Sequence, residues 1–181
     1  MKKLLLLLLF IPLASIGQDF RKMSFGESIE NLTEKYPDIE FDIEEADGVE
    51  IASYKDMVLG ITTLIGYVFQ DNKFVTGMYN FEPEWDGDEA LKNYKSVSEQ
   101  LNAKYKMQED NKWHKSTWKG DSDQYGHALY MGDVDFVERY ELESKTIVHS
   151  ISKDNDGLFH IVMSVNPEFE TKMREANADD F

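Results

Sequence analysis

Between residues 38 and 44 acidic and apolar side chains alternate without a break, Ile39, Phe41 and Ile43 against Asp38, Glu40, Asp42 and Glu44. Side chains of an extended strand point to opposite faces in turn, so the pattern specifies a half-buried β-strand. A lone strand is not stable, and extended segments follow at residues 49–54, 58–69 and 74–81. Asp71-Asn72-Lys73 supplies a tight turn between the last two. A helix is expected before this group. Ser24-Phe25-Gly26-Glu27 reads as a capping box, Phe25, Ile29, Leu32 and Tyr36 form one stripe, and Pro37 ends it.

The order then begins again. Asp86-Gly87-Asp88-Glu89 offers an N-cap and first-turn acids. Leu91, Tyr94, Val97 (or Ser98), Leu101 and Tyr105 make the apolar stripe of a second helix. Strands are expected near residues 113–118, 127–131, 134–142, 145–153 and 158–165. Both helices end alike, Leu32-Thr33-Glu34-Lys35-Tyr36 and Leu101-Asn102-Ala103-Lys104-Tyr105. The expected class is α+β, helices on antiparallel sheet, as a tandem repeat of helix plus three- to four-stranded meander over residues 18–82 and 83–167. The alternative is one larger sheet with two helices on one face. Residues 168–181 read as a frayed helix or loose tail. In the last hairpin, a three-residue loop Asn155-Asp156-Gly157 would pair Ile147, His149 and Ile151 with Val165, Met163 and Ile161, keeping the large apolar residues on one face.

Composition narrows the function. The 181 residues include no cysteine, which removes disulfides, thiolate nucleophiles and cysteine-held metals, and leaves the core to carry stability alone. The net charge of −16 lacks the basic cluster that nucleic-acid binding needs. Lys2 and Lys3, the apolar run at residues 4–13, and Ser15 and Gly17 before Gln18 describe a signal peptide over residues 1–17, cleaved near Gly17/Gln18. The run is too short to span a membrane, so a secreted or periplasmic mature chain without stable membrane insertion is expected. Loss of the two lysines takes its side-chain balance to 17 bases against 35 acids.

No motif announces a reaction or a cofactor. His114, His127, His149 and His160 lack metal-ligand spacing, and the hairpin register above puts His149 and His160 on opposite faces. There is no Gly-x-Ser-x-Gly elbow, phosphate loop or dinucleotide fingerprint. Asp154-Asn155-Asp156-Gly157 fails as a calcium loop, because Met163 falls where a bidentate Glu is required. The pairs Asp121/Asp123 and Asp133/Asp135 read as solvated turns or weak ion holders, and no metal site is expected.

Two surfaces remain. Residues 38–50 hold seven carboxylates and no base, an edge strand guarded by like charge or a face for a basic partner, with Glu40, Asp42 and Glu44 as its contacts. Residues 108–127 combine Trp113, Trp118 and Tyr125 with Asp121 and Asp123, which suits a sugar-binding or protein-binding face. Met23-Ser24-Phe25-Gly26-Glu27-Ser28-Ile29, after a signal peptide and leading into a helix, resembles the helix start of outer-membrane assembly small lipoproteins. The tandem helix-plus-sheet layout resembles the secreted β-lactamase-inhibitor proteins. This chain lacks the lipoprotein cysteine. The resemblance implies an antiparallel α+β fold and a non-enzymatic binding or scaffolding role, and brings no functional residue. The expectation is a protein that binds a protein partner, the alternative being a carbohydrate-binding module or envelope hydrolase built on Trp113, Trp118 and nearby acids.

Overall fold

The computed structural model describes residues 19–46, 48–109 and 111–178, so the expected signal peptide lies outside the described residues. Four helices and nine strands follow in the order α1 (Ile29–Lys35), β1 (Asp42–Ala46), β2 (Val49–Val58), β3 (Ile61–Gln70), β4 (Lys73–Phe81), α2 (Gly87–Asn102), β5 (Gln108–Glu109), β6 (Lys112–Trp113), α3 (Tyr125–Tyr130), β7 (Val134–Glu141), β8 (Thr146–Asp154), β9 (Gly157–Val165) and α4 (Pro167–Ala178). The class is α+β with an antiparallel sheet. The strand order is β1-β2-β3-β4-β9-β8-β7-β5, with β6 paired to β7 beside β5. Each half is a helix followed by a meander, and the two meanders join where β4 pairs with β9, Thr76 opposite Val165 and Asn80 opposite Ile161. Among the described residues no helix is long and apolar enough to cross a membrane.

Local chemistry accounts for the element boundaries and for the departures from expectation. Gly26 lies at φ +87° and donates its N–H to Phe74 O, so α1 cannot start at residue 25. It starts one turn later, where Ser28 and Asn31 form the capping box; Glu27 still reaches back to the Ser24 N–H at 2.9 Å. The segments expected at 49–54 and 58–69 are separated instead by a hairpin turn at Leu59-Gly60. Both residues have positive φ, as do Asp71 and Asn72 in the next turn, and two-residue turns of this hand match the twist of the strands they join. Trp118 falls in a turn rather than a strand, and residues 127–131 belong to α3 and its end. The described part of the tail, to Ala178, forms α4, where Asn166 accepts from the Glu168 and Phe169 N–H groups and Pro167 opens the helix.

One face of the sheet carries the core. Phe20, Tyr67, Phe69, Phe74, Tyr79 and Phe81 pack there with Leu32 of α1 and with Val97 and Leu101 of α2. A second apolar group holds Ala90, Leu91, Tyr94, Ala128, Leu129, Phe136, Ile151 and Leu158. β1 is the edge strand, and its Ile43 is half exposed, so Phe41 rather than Ile43 meets the core.

The last hairpin departs most from expectation. Its loop is Asn155-Asp156, which sets Ile147 opposite Ser164, His149 opposite Val162 and Ile151 opposite His160. Segregating the large apolar residues to one face assumed one dry and one wet face. β8 and β9 are interior strands, and Val148, Ile161 and Met163 are half-buried on the face away from α2. Shifting the register by one residue moves a strand's side chains to the other face of its partner, so His149 and His160 share the core side.

α2 and α3 touch through backbone. A Cβ on Gly87 would lie 2.1 Å from the Gly126 carbonyl oxygen. Helix propensity alone would make Gly87→Ala neutral or stabilising; steric overlap instead predicts a loss of about 1–3 kcal/mol. Urea unfolding decides the sign.

Candidate functional site

β7, β8 and β9 each place one polar side chain at the same level of the core face. On β7, Glu138 sits between Phe136 and Tyr140; on β8, His149 between Ile151 and Ile147; on β9, His160 between Leu158 and Val162. Glu138 lies directly opposite His149, and His160 is diagonal to it. The three form a row across the sheet, with one apolar group on each side. They are 7%, 0% and 4% exposed.

Every link in the row is a hydrogen bond. His149 Nδ1 is 2.8 Å from Glu138 Oε2, and His149 Nε2 is 2.8 Å from His160 Nε2. Ser98 of α2 donates to Glu138 Oε1, and Tyr140 donates to Oε2 at 2.9 Å. The Tyr94 ring stacks on His149 with centroids 4.0 Å apart, and Phe81 stacks on His160 at 4.3 Å.

The charges follow from this enclosure. Burial alone would push Glu138 up, but hydrogen bonds from His149, Ser98 and Tyr140 outweigh it and hold the carboxyl below its ordinary value. Burial lowers His149 despite Glu138, and burial with the neighbouring His149 lowers His160 to about 3. At neutral pH the row is therefore one carboxylate and two neutral imidazoles. Facing a carboxylate, His149 Nδ1 must carry the proton. Its Nε2 is then an acceptor, and His160 Nε2–H donates to it.

Glu138 is also the floor of a cavity of about 610 Å³, within the range of about 300–1,000 Å³ usual for small-molecule sites. α2 contributes Leu91, Tyr94, Lys95 and Ser98; the segment around β6 contributes Asn111 and Trp113; Lys119, Tyr125 of α3 and Phe136 complete the wall. The Gly87–Gly126 approach sets α3 against α2 and brings Tyr125 over the cavity. Trp113, Tyr125 and Phe136 meet there with centroids 5.3–6.3 Å apart.

The residues expected at the site divide. Trp113 and Tyr125 converge in the cavity, whereas Trp118 packs edge-on against His127 and does not line it. Asp121 and Asp123 are exposed on the turn before α3. Asp133 and Asp135 are matched to Lys115 and His114. Glu40, Asp42 and Glu44 are exposed at the far edge of the sheet; Glu40 and Asp42 line a separate groove of about 570 Å³ with Asp38 and Asp56, and Glu44 does not. Sequence reasoning missed Glu138, Ser98 and the histidine pair. No turn residue decided the register: Gly157 is the loop position with positive φ, and a three-residue loop would place it so as well.

Among the described residues Glu138 is the only carboxylate on the cavity wall, while two-carboxylate glycoside cleavage needs a second across the bond. Ser98 bonds to Glu138 rather than to an imidazole, so neither histidine is placed to take its proton. Among the described residues no three His, Asp or Glu side chains cluster as a metal site.

The unfolded histidines take protons near pH 6.5, and folded His160 only near 3. Between those values the unfolded state holds more protons, so stability falls as pH falls, by up to about 1.4 kcal/mol per pH unit from His160; His149, also lowered, adds to the fall below pH 6.5. Glu138, also lowered, adds to the loss at the acid end. His160→Phe should lose about 1–3 kcal/mol at pH 7 by stranding His149 Nε2. It should also show a shallower fall between pH 6.5 and 4 in urea titrations. Parallel wild-type and variant curves would mean that His160 titrates normally.

Comparison of the chain with protein-family models, with curated proteins and with solved structures finds no match in any of the three.

Proposed function

We propose that this is a secreted or periplasmic binding protein whose cavity under α2 holds a small ring compound with an apolar face and several hydroxyl groups, a carbohydrate unit being the ligand class. The single observation behind this reading is the convergence of Trp113 and Tyr125 with Ser98, Asn111 and Glu138 around one cavity. Aromatic faces accept the apolar side of such a ring, and a few fixed polar groups orient its hydroxyls. The donors already on Glu138 keep it ionised and in place as an acceptor. An export signal at residues 1–17, as the sequence reads, supports this reading, because free saccharides and glycans are met outside the cytoplasm.

Calorimetry across a library of mono- and oligosaccharides should find a ligand, and Trp113→Ala should weaken its binding by about tenfold or more. Trp118→Ala should leave affinity within about twofold. Silence across the library, or equal effects of the two substitutions, would remove this reading.

A second reading, a basic protein partner at the β1 edge, is supported by the groove that Asp38, Glu40, Asp42 and Asp56 line beside an open strand. It predicts that an oligolysine peptide binds in low salt and that Glu40→Lys with Asp42→Lys abolishes binding. An unchanged affinity would leave the acids as guards of the edge.

A further inference from the structure

The cavity has polarity from rim to floor. Glu138 at its floor is 7% exposed. At its rim stand Lys95 of α2 and Lys119, both exposed. Neither ammonium group has an ion-pair or hydrogen-bond partner among the described residues, whereas that of the nearby Lys92 is engaged by Glu89 at 2.9 Å and that of Lys115 by Asp133 at 2.6 Å. With a net charge of −16 the protein as a whole repels anions. Two unengaged cations at the mouth of one aromatic cavity are therefore the feature of this site that the carbohydrate reading leaves unexplained.

Taking that reading as its basis, we infer that the cavity selects an anionic saccharide, a ring carrying a carboxylate such as a hexuronate unit, with its acid group at Lys95 and Lys119 and its hydroxyls toward Glu138, Ser98 and Asn111. The geometry fixes the orientation. A carboxylate driven to the floor would face that of Glu138 with no cation between them, while hydroxyl groups there can donate to Glu138. A carboxylate left at the rim meets two ammonium groups. The ring spans the interval, over Trp113 and Tyr125. An uncharged sugar would fill the same space and leave both lysines unused, so the lysines set preference rather than fit. Because they are solvent-exposed, each contributes modestly and in a salt-dependent way.

The test is calorimetric titration of the full mature chain with an oligogalacturonide and with its neutral galactose counterpart, at about 20 and 200 mM salt. The expected result is a preference for the acidic oligosaccharide of about tenfold or more in low salt, shrinking in high salt. Lys95→Gln and Lys119→Gln should each lower its affinity by about threefold to fivefold, the pair together by about tenfold or more, with little change for the neutral sugar. Lys92→Gln, on the same helix but away from the cavity, should change neither; surface substitutions of this kind leave folding intact. If the two oligosaccharides bind equally, the inference fails while the carbohydrate reading stands. If the acidic sugar is preferred but the Lys95→Gln/Lys119→Gln chain keeps the preference, the inference fails as to its cause. If neither binds, both fail.

Discussion

The pairing of β4 with β9 is the contact on which the rest of this structure depends. Each strand is the last of its own meander and would otherwise be a sheet edge. Joined, they become interior strands with neighbours on both sides, and β9 is covered by α2 on one face and half-buried on the other. That enclosure sets the state of the two histidines. His160 is pressed against Phe81 across the seam, and His149 is closed over by Tyr94. Removed from water, neither imidazole can hold a proton cheaply, so their shared environment keeps them neutral.

A buried polar row is costly unless every group in it is engaged. Here the engagement is directional. Glu138 is the ionised end and receives three donors, from α2, from its own strand and from β8. His149 passes the chain on to His160, where it ends against an aromatic ring. Loss of one member leaves a buried charge or acceptor stranded, which costs more than the row contributes intact. The row thus fixes the orientation of the one carboxylate that meets the cavity. Aromatic side chains from four separate elements then wall a space whose floor is negative and whose rim is positive. α3 reaches that wall because two glycines let its backbone touch α2.

Much of this fold was legible in the sequence. The α+β class, the antiparallel sheet, the Asp86 cap of α2 and the stripe Leu91, Tyr94, Val97, Leu101 are local patterns, and local chemistry settles them. The beginning of α1 was displaced because Gly26 pairs with Phe74, forty-eight residues away in sequence, which periodicity does not register. α3 read as a strand, since six residues carry too little periodicity to separate the two. At the site, Trp113 and Tyr125 could be singled out by residue type. Glu138 could not, because an acid within an alternating strand looks like its solvated face. Its partner His149 looked like a core residue, and His160 was assigned to the opposite face by a register built on segregating the large apolar residues. That rule fails where a hairpin lies inside a sheet with both faces partly covered.

The core of the molecule is one physical state: at neutral pH a row of one carboxylate and two neutral imidazoles, with the proton on His149 Nδ1 and on His160 Nε2. Nitrogen-15 NMR of the histidine side chains at pH 7 measures it directly, because protonated and unprotonated ring nitrogens resonate far apart. His149 should show a protonated Nδ1 and bare Nε2, and His160 a protonated Nε2. Both imidazoles should be neutral. A doubly protonated His149 or His160 at that pH, or the reverse tautomer at His149, would contradict it.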